Sequence, residues 1–309
     1  MAELPAAEAD AVRYLLSYFT AGEEALHLAV SEDGITFATL NGGRPFLRSR
    51  VGSQAIRDPF IGCDGDGRYH LLGTDGWRSA SIVHSVSADL VSWSEPELLP
   101  VMGEIDGAFN AWAPEFFTDP DTGIHHIIWS SVVAAGLAQP DGEWVDPATR
   151  QQIWTCATKD FMTFGPSSVF FDPGFTVIDA TVRADACGFL MAYKDERGEN
   201  RLDTSHKTIR FARFDAPNGP ILDLDQTVPA APVEGPSFLR RGGELVVIFD
   251  RFLEGAYSAA VLRDGGRWEP SPLVAPVGAR HGSILESDSD SIRILLSSSK
   301  ISEKAQPSL

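Results

Sequence analysis

Three carboxylates stand where a carboxylate needs a reason. Glu234 lies in Val233-Glu234-Gly235-Pro236-Ser237, ahead of the apolar run Leu245-Val246-Val247-Ile248-Phe249. Asp179 sits inside the apolar stretch from Phe175 to Val182, and Asp58 stands between Arg57 and Pro59. A charged group at the mouth of a buried strand is costly unless it has partners or a task. Each also has a plain structural explanation. Asp before Pro is turn chemistry, Glu before Gly-Pro can accept backbone N–H bonds, and a carboxylate among apolar residues can be a buried hydrogen-bonding group. Gathered in one place, the three would instead support acid–base chemistry. One carboxyl would deliver a proton, a second would activate water, and a third nearby would disfavour ionisation of the acid.

A repeat supplies the reason for them to meet. Short strand-like runs recur from Tyr14-Leu15-Leu16 to Leu245–Phe249, each with Gly, Asp or Glu close to its N-terminal side, which is turn chemistry. Ser31-Glu32-Asp33-Gly34-Ile35-Thr36-Phe37 resembles Ser87-Ala88-Asp89-Leu90-Val91-Ser92-Trp93 and Thr158-Lys159-Asp160-Phe161-Met162-Thr163-Phe164, with weaker echoes at Asp215 and Asp264. These markers are 49 to 71 residues apart. Multi-strand repeats of about 40–50 residues are the signature of a β-propeller. Beyond each marker comes a segment that reads as the head of a new strand: Arg57-Asp58-Pro59, Trp112-Ala113-Pro114-Glu115, Ile178-Asp179-Ala180, Glu234-Gly235-Pro236 and Arg280-His281-Gly282. Innermost strands line the channel of a propeller, so these heads converge at one mouth.

The expected fold is therefore all-β, a five-bladed β-propeller spanning residues 1–309 as a single catalytic domain. Its last blade is closed by N-terminal strands together with a C-terminal inner strand over His281–Glu286, which removes a free sheet edge. The register leaves Ser291–Ser298 open between strand and helix, allows a short helix over residues 4–13, and places a loop insertion near Ala134–Arg150.

Three carboxylates and a histidine around a pocket fit glycoside hydrolysis, with inversion where two carboxyls stand roughly 6.5–9.5 Å apart. The residues alone do not say which takes which part. Together, Arg57-Asp58-Pro59, Trp112-Ala113-Pro114, Val177-Ile178-Asp179-Ala180-Thr181, Val233-Glu234-Gly235-Pro236 and Arg280-His281-Gly282 resemble glycoside hydrolase family 43, in order and over nearly the whole chain. The resemblance implies an inverting five-bladed propeller enzyme acting mainly on arabinosides and xylosides. It implies Asp58 as general base, Glu234 as general acid, and Asp179 as the residue that orients the acid and raises its pKa. No cofactor would be required. A structural calcium ion or a water cluster would occupy the channel near His281, the metal reaching His281 through water. Glu115 departs from the Asp common in the family at this place and reads as a conservative change outside the trio.

Around the trio, Trp77 and Trp112 are candidate walls for a sugar, and Arg251 and His281 candidate donors to it. For Arg251 the alternative is a salt bridge with Asp250 or another acid. Lys194 is a weaker candidate of the same kind. Asp64-Gly65-Asp66-Gly67 lacks the spacing and the Glu of an EF-hand loop and reads as a hairpin turn. The implied partner is a short oligosaccharide. A net charge of −18 argues against non-specific binding to nucleic acid or to an anionic membrane. Three cysteines with no C-x-x-C pair argue against a disulfide framework and a zinc site. No run approaches 18 apolar residues, and the N-terminus has neither a basic nor an apolar signal region, so a cytoplasmic protein is expected. Two other readings compete: a propeller phosphorylase or hydrolase of another sugar, the former needing a basic phosphate pocket, and a non-catalytic carbohydrate-binding propeller, which loss of a trio member would favour.

Overall fold

The computed structural model describes residues 13–133, 150–198 and 203–287, with residues 290, 292 and 295 beyond them. Those residues form five four-stranded antiparallel sheets. The N-terminal strands are β1 (Arg13–Thr20), β2 (Glu23–Ser31) and β3 (Ala38–Thr39). The first complete blade runs β4 (Arg57–Cys63), β5 (Tyr69–Thr74), β6 (Ile82–Ser87) and β7 (Glu97–Leu99). The second is β8 (Trp112–Thr118), β9 (His125–Ser131), β10 (Gln152–Thr158) and β11 (Ser168–Phe171). The third is β12 (Val177–Asp185), β13 (Gly188–Asp195), β14 (Ile209–Phe214) and β15 (Leu222–Thr227). The fourth is β16 (Glu234–Arg241), β17 (Glu244–Arg251), β18 (Ala256–Arg263) and β19 (Arg267–Ser271). The fifth has the order β20-β1-β2-β3, with β20 spanning Ala279–Ser287. This is the five-bladed propeller, its last blade made of a C-terminal inner strand that pairs with the first of three N-terminal ones, as the register requires.

Five apolar clusters fill the five seams between blades. One joins Leu16 and Tyr18 to Val246 and Ile248, and another joins Leu15 and Leu28 to Ile61 and Leu71. The others join Leu72 to Trp129, Phe117 to Phe189, and Phe211 to Val247 and Trp268. The strands read as nearly continuous apolar runs because both of their faces pack against neighbouring blades. Trp129 and Trp268 belong to this packing. Ile292 and Leu295 are helical and buried in the seam with Ile61 and Leu71, so these residues take the helical alternative. The insertion at 134–149 and the helix considered over 4–12 lie outside the described residues, and Arg13 begins β1.

The Asp markers fall between the third and outermost strands of every blade. In three blades the device is the same. Asp33 Oδ1 accepts from the N–H of Ile35 and Thr36, Asp89 Oδ1 from Val91 and Ser92, and Asp160 Oδ1 from Met162 and Thr163. A Ser or Thr hydroxyl two residues earlier donates to the same carboxylate. The residue after each Asp is left-handed: Gly34, Leu90 and Phe161. Asp64 likewise closes the β4–β5 hairpin by accepting from the N–H of Asp66 and Arg68, confirming the turn.

A candidate active site at the channel mouth

The inner strands share a second local feature, and it aims the site. Each slips register at its head: between Arg57 and Phe60, Trp112 and Glu115, Ile178 and Thr181, and Glu234 and Ser237, with a matching shift between β1 and β20. In four of them the second residue is left-handed: Asp58 (φ 48°), Ala113 (46°), Asp179 (56°) and Gly235 (58°). A bulge re-aims the side chain at the point where pairing begins. Holding Asp58 and Asp179 there is strained for a residue with a Cβ. In the fourth blade the left-handed position is taken by glycine, and the carboxylate stands one residue earlier, as the longer Glu234. Gly235 is required there, since a Cβ would lie 2.4 Å from the His281 ring.

These heads surround a cavity of about 260 Å³ lined by Asp58, Asp179, Glu234, Trp77, Trp112 and His281, among others. That is small beside ligand clefts of roughly 300–1,000 Å³. Asp58 Oδ2 accepts from the Thr74 hydroxyl at 2.7 Å. The same hydroxyl oxygen accepts the Ala113 N–H, also at 2.7 Å, so its proton is committed to Asp58. Asp179 donates its N–H to Ser130 Oγ, and its Oδ2 accepts the Gly235 N–H at 3.3 Å, tying it to the residue after Glu234. Glu234 has a cation on each oxygen, Lys194 Nζ at 3.0 Å and Arg280 at 3.3 Å. His281 Nδ1 lies 3.4 Å from Asp58 and 3.8 Å from Asp179, which links the two aspartates. Fully buried Asp250 holds Arg280 Nε and the His281 N–H, at 2.9 and 3.0 Å.

The charges follow from this packing. Burial pushes Asp179 up to about 6, against the pull of His281 and Lys194. Burial also acts to raise Glu234, but Lys194, His281 and Arg280 outweigh it and hold its carboxyl below the ordinary range. Asp179 is expected to raise the pKa of Glu234, but the net shift is downward because the two bonded cations dominate. His281 is raised despite its burial, by Asp179 and Asp58 foremost. Glu115, read as lying outside the trio, is buried beneath it. Desolvation lifts it to about 8, with Thr181 and His281 opposing.

Not every expected residue is at the site. Trp77 and Trp112 meet edge-to-face at 5.6 Å, and the Trp112 indole N–H donates to the Trp77 carbonyl. The Arg57 guanidinium lies over the Trp77 ring at 4.3 Å and pairs with Glu24. Arg251 is not in the cavity lining. It ends β17 and pairs with Glu254 three residues on, the salt-bridge alternative. Replacing Arg251 by alanine should leave KM within about two-fold of wild type, since an exposed pair contributes roughly 0–1 kcal/mol; steady-state kinetics check this. The Lys and Arg side chains lining the cavity are Arg57, Lys194, Lys207 and Arg280 instead. Arg280 was legible as part of Arg280-His281-Gly282. Lys207 lies in the loop ahead of β14, where no pattern marks it.

A calcium ion held directly by side chains finds no ligand set. Among the described residues, no group of three or more His, Cys, Asp or Glu side chains is arranged to hold a metal ion. His281 Nδ1 is turned toward Asp58 and Asp179, so the histidine bridges two carboxylates.

Known proteins share this frame. A β-xylosidase/α-arabinofuranosidase of family 43 from a compost microbial metagenome, solved with xylotriose in a calcium-free form, superposes with a TM-score of 0.59 at 14% identity, covering 86% of this chain and 92% of that one. A thermostable family-43 glycoside hydrolase superposes with a TM-score of 0.57 at 18% identity, covering 76% and 80%. In sequence, an α-L-arabinofuranosidase of Bifidobacterium longum subsp. longum is 25% identical over 232 residues, 66% of this chain. The chain spans only 21% of the length of that relative. A family model described as a probable glycosyl hydrolase domain, related to glycoside hydrolase family 43, matches residues 10–289. With that match over most of its length, the chain belongs to the family 43-related glycoside hydrolases.

Proposed function

We propose that the protein is an inverting, exo-acting glycosidase that releases arabinose or xylose from short α-L-arabinofuranosides or β-xylosides. The observation that carries this reading is the convergence of Asp58, Asp179 and Glu234, from three separate blades, on one small cavity walled by Trp77 and Trp112. Asp58 acts as general base. The committed Thr74 proton holds Asp58 Oδ2, and Oδ1, which His281 Nδ1 approaches at 3.4 Å, takes the proton of the water. Glu234 acts as general acid, and Asp179 orients it through the Gly235 N–H. Glu234 must gain a proton to serve. Burial favours the protonated form, against the pull of Lys194 and Arg280. The arabinoside half of the proposal draws on the Bifidobacterium relative, and the xyloside half on the xylotriose complex. The size of the cavity favours a short sugar over a polymer.

The test is hydrolysis of nitrophenyl α-L-arabinofuranoside and β-xyloside, with other nitrophenyl glycosides as controls. Proton NMR of the first-formed sugar reads the anomer. Release of pentose with inverted configuration is expected. Retained configuration, or hydrolysis of only the control sugars, overturns the proposal.

A further inference from the structure

Two lysines reach the cavity almost without solvent. Lys194 near the end of β13 and Lys207 ahead of β14 have side chains 3% and 2% exposed. Burying an ammonium costs several kcal/mol unless it is well paired. One carboxylate serves both: Glu196 Oε2 lies 2.8 Å from Lys194 Nζ, and its Oε1 pairs with Lys207. Lys194 then donates onward to Glu234 Oε2 at 3.0 Å. The backbone fixes this row of alternating charge at both ends. Glu196 N–H donates to the Thr176 carbonyl, and Val233 N–H, one residue before Glu234, donates to the Lys207 carbonyl at 2.9 Å. The Phe252 ring covers the Lys194 ammonium at 4.7 Å. A structural brace would be served as well by apolar side chains. Ending the row on Glu234 gives it a different use.

We infer that Lys194 is a positioning residue for Glu234, and that the Glu196–Lys207 pair sets how much of the Lys194 charge Glu234 receives. The inference deepens the reading of Glu234 as general acid and rests on it. The other groups facing Glu234 are Arg280 and His281 from β20, Asp250 from β17, Asp179 from β12 and Tyr257 from β18. All of them stay unchanged in the test variants.

The test reads the alkaline limb of kcat/KM against pH, which reports the acid of the free enzyme. Glu234 works protonated, so activity is lost as pH rises through its pKa. Lys194→Met removes the favourable cation and moves the limb to higher pH. Glu196→Gln removes a negative charge and leaves Lys194 to Glu234 alone, so it moves the limb to lower pH. Each displacement is expected to be about one pH unit, the effect of one charge at this range, and Lys194→Arg restores the wild-type limb. A purely structural role would lower kcat or Tm in both variants and displace neither limb. Carboxyl ¹³C NMR titration of Glu234, assigned with Glu234→Gln, follows the same group without turnover. Opposite displacements by NMR with no glycoside hydrolysis by wild type overturn the acid role and leave the positioning role standing. Unmoved midpoints, or midpoints moved the same way, overturn the role of Lys194. Glu196→Gln decides by its sign even if Lys194→Met fails to fold.

Discussion

Glu234→Ala is expected to lower kcat by about 10²–10⁴-fold on a xylobioside or alkyl arabinoside, the range for loss of a general acid, and by far less on a dinitrophenyl glycoside. A sugar or alkyl alcohol is a poor leaving group and cannot depart as an anion without a proton. Dinitrophenolate leaves unaided, so the step Glu234 assists no longer limits the rate. Asp58→Ala should lose a comparable factor on both kinds of substrate, because activation of water is needed whatever departs. The contrast between the two variants across one leaving-group series therefore separates acid from base, which neither variant does alone. The geometry makes the contrast fair. Removing Glu234 leaves Arg280 on Asp250 and Lys194 on Glu196, so neither cation is stranded. Removing Asp58 leaves the Thr74 hydroxyl still accepting from Ala113. Wild-type activity in Glu234→Ala on the alkyl substrate would remove Glu234 from the acid role. A leaving-group dependence confined to Asp58→Ala would exchange the two assignments.

The fold was legible because two local devices repeat. The Ser/Thr-x-Asp turn is written in the sequence three times, and Asp33, Asp89 and Asp160 make the same backbone bonds in three blades. The inner-strand heads were legible as a polar residue beside Pro, Ala or Gly, and each opens on a bulge. The offset of Glu234, one residue ahead of Asp58 and Asp179 in the shared register, came only with the left-handed Gly235 of the structure. The electrostatics were not. Arg251 and Lys194 look alike in text, each a cation following an aromatic or acidic residue at the end of a strand. Lys194 lies one residue before the end of β13 and faces Glu234, whereas Arg251 ends β17 and pairs with exposed Glu254. Lys207 and Glu196 come from a connection whose path no periodicity constrains. It is Lys194 and Arg280 that hold the Glu234 carboxyl below its ordinary range, which counting carboxylates could not foresee.

Gly282→Ala is expected to cost about 3 kcal/mol or more, at the upper end for overpacking, and so to lower Tm by roughly 6 °C. A Cβ at Gly282 would lie 1.8 Å from the Ser17 carbonyl oxygen and 2.9 Å from Tyr18 Cα. These are backbone atoms, so no rotamer change relieves the contact. The clash falls where β1 and β20 slip register between Ser17 and Phe19, within the pairing that joins the N-terminal strands to the C-terminal one. Ser17 Oγ also donates to the Pro59 carbonyl of β4, so a displaced β1 disturbs the next blade as well. Gly278, just ahead of β20, gives the control. It is left-handed at φ 77° with nothing within 4 Å of an added Cβ, so Gly278→Ala should cost only the strain of that conformation, about 1–2 kcal/mol. Melting curves of the two variants separate ring closure from local strain. If Gly282→Ala melts as high as Gly278→Ala, then β1 and β20 have room to separate and the β1–β20 pairing does not hold the ring closed. If it melts lower while His281, one residue away, keeps its place between Asp58 and Asp179, activity at low temperature should survive. Closure of the propeller and assembly of the site would then be separable properties of one strand.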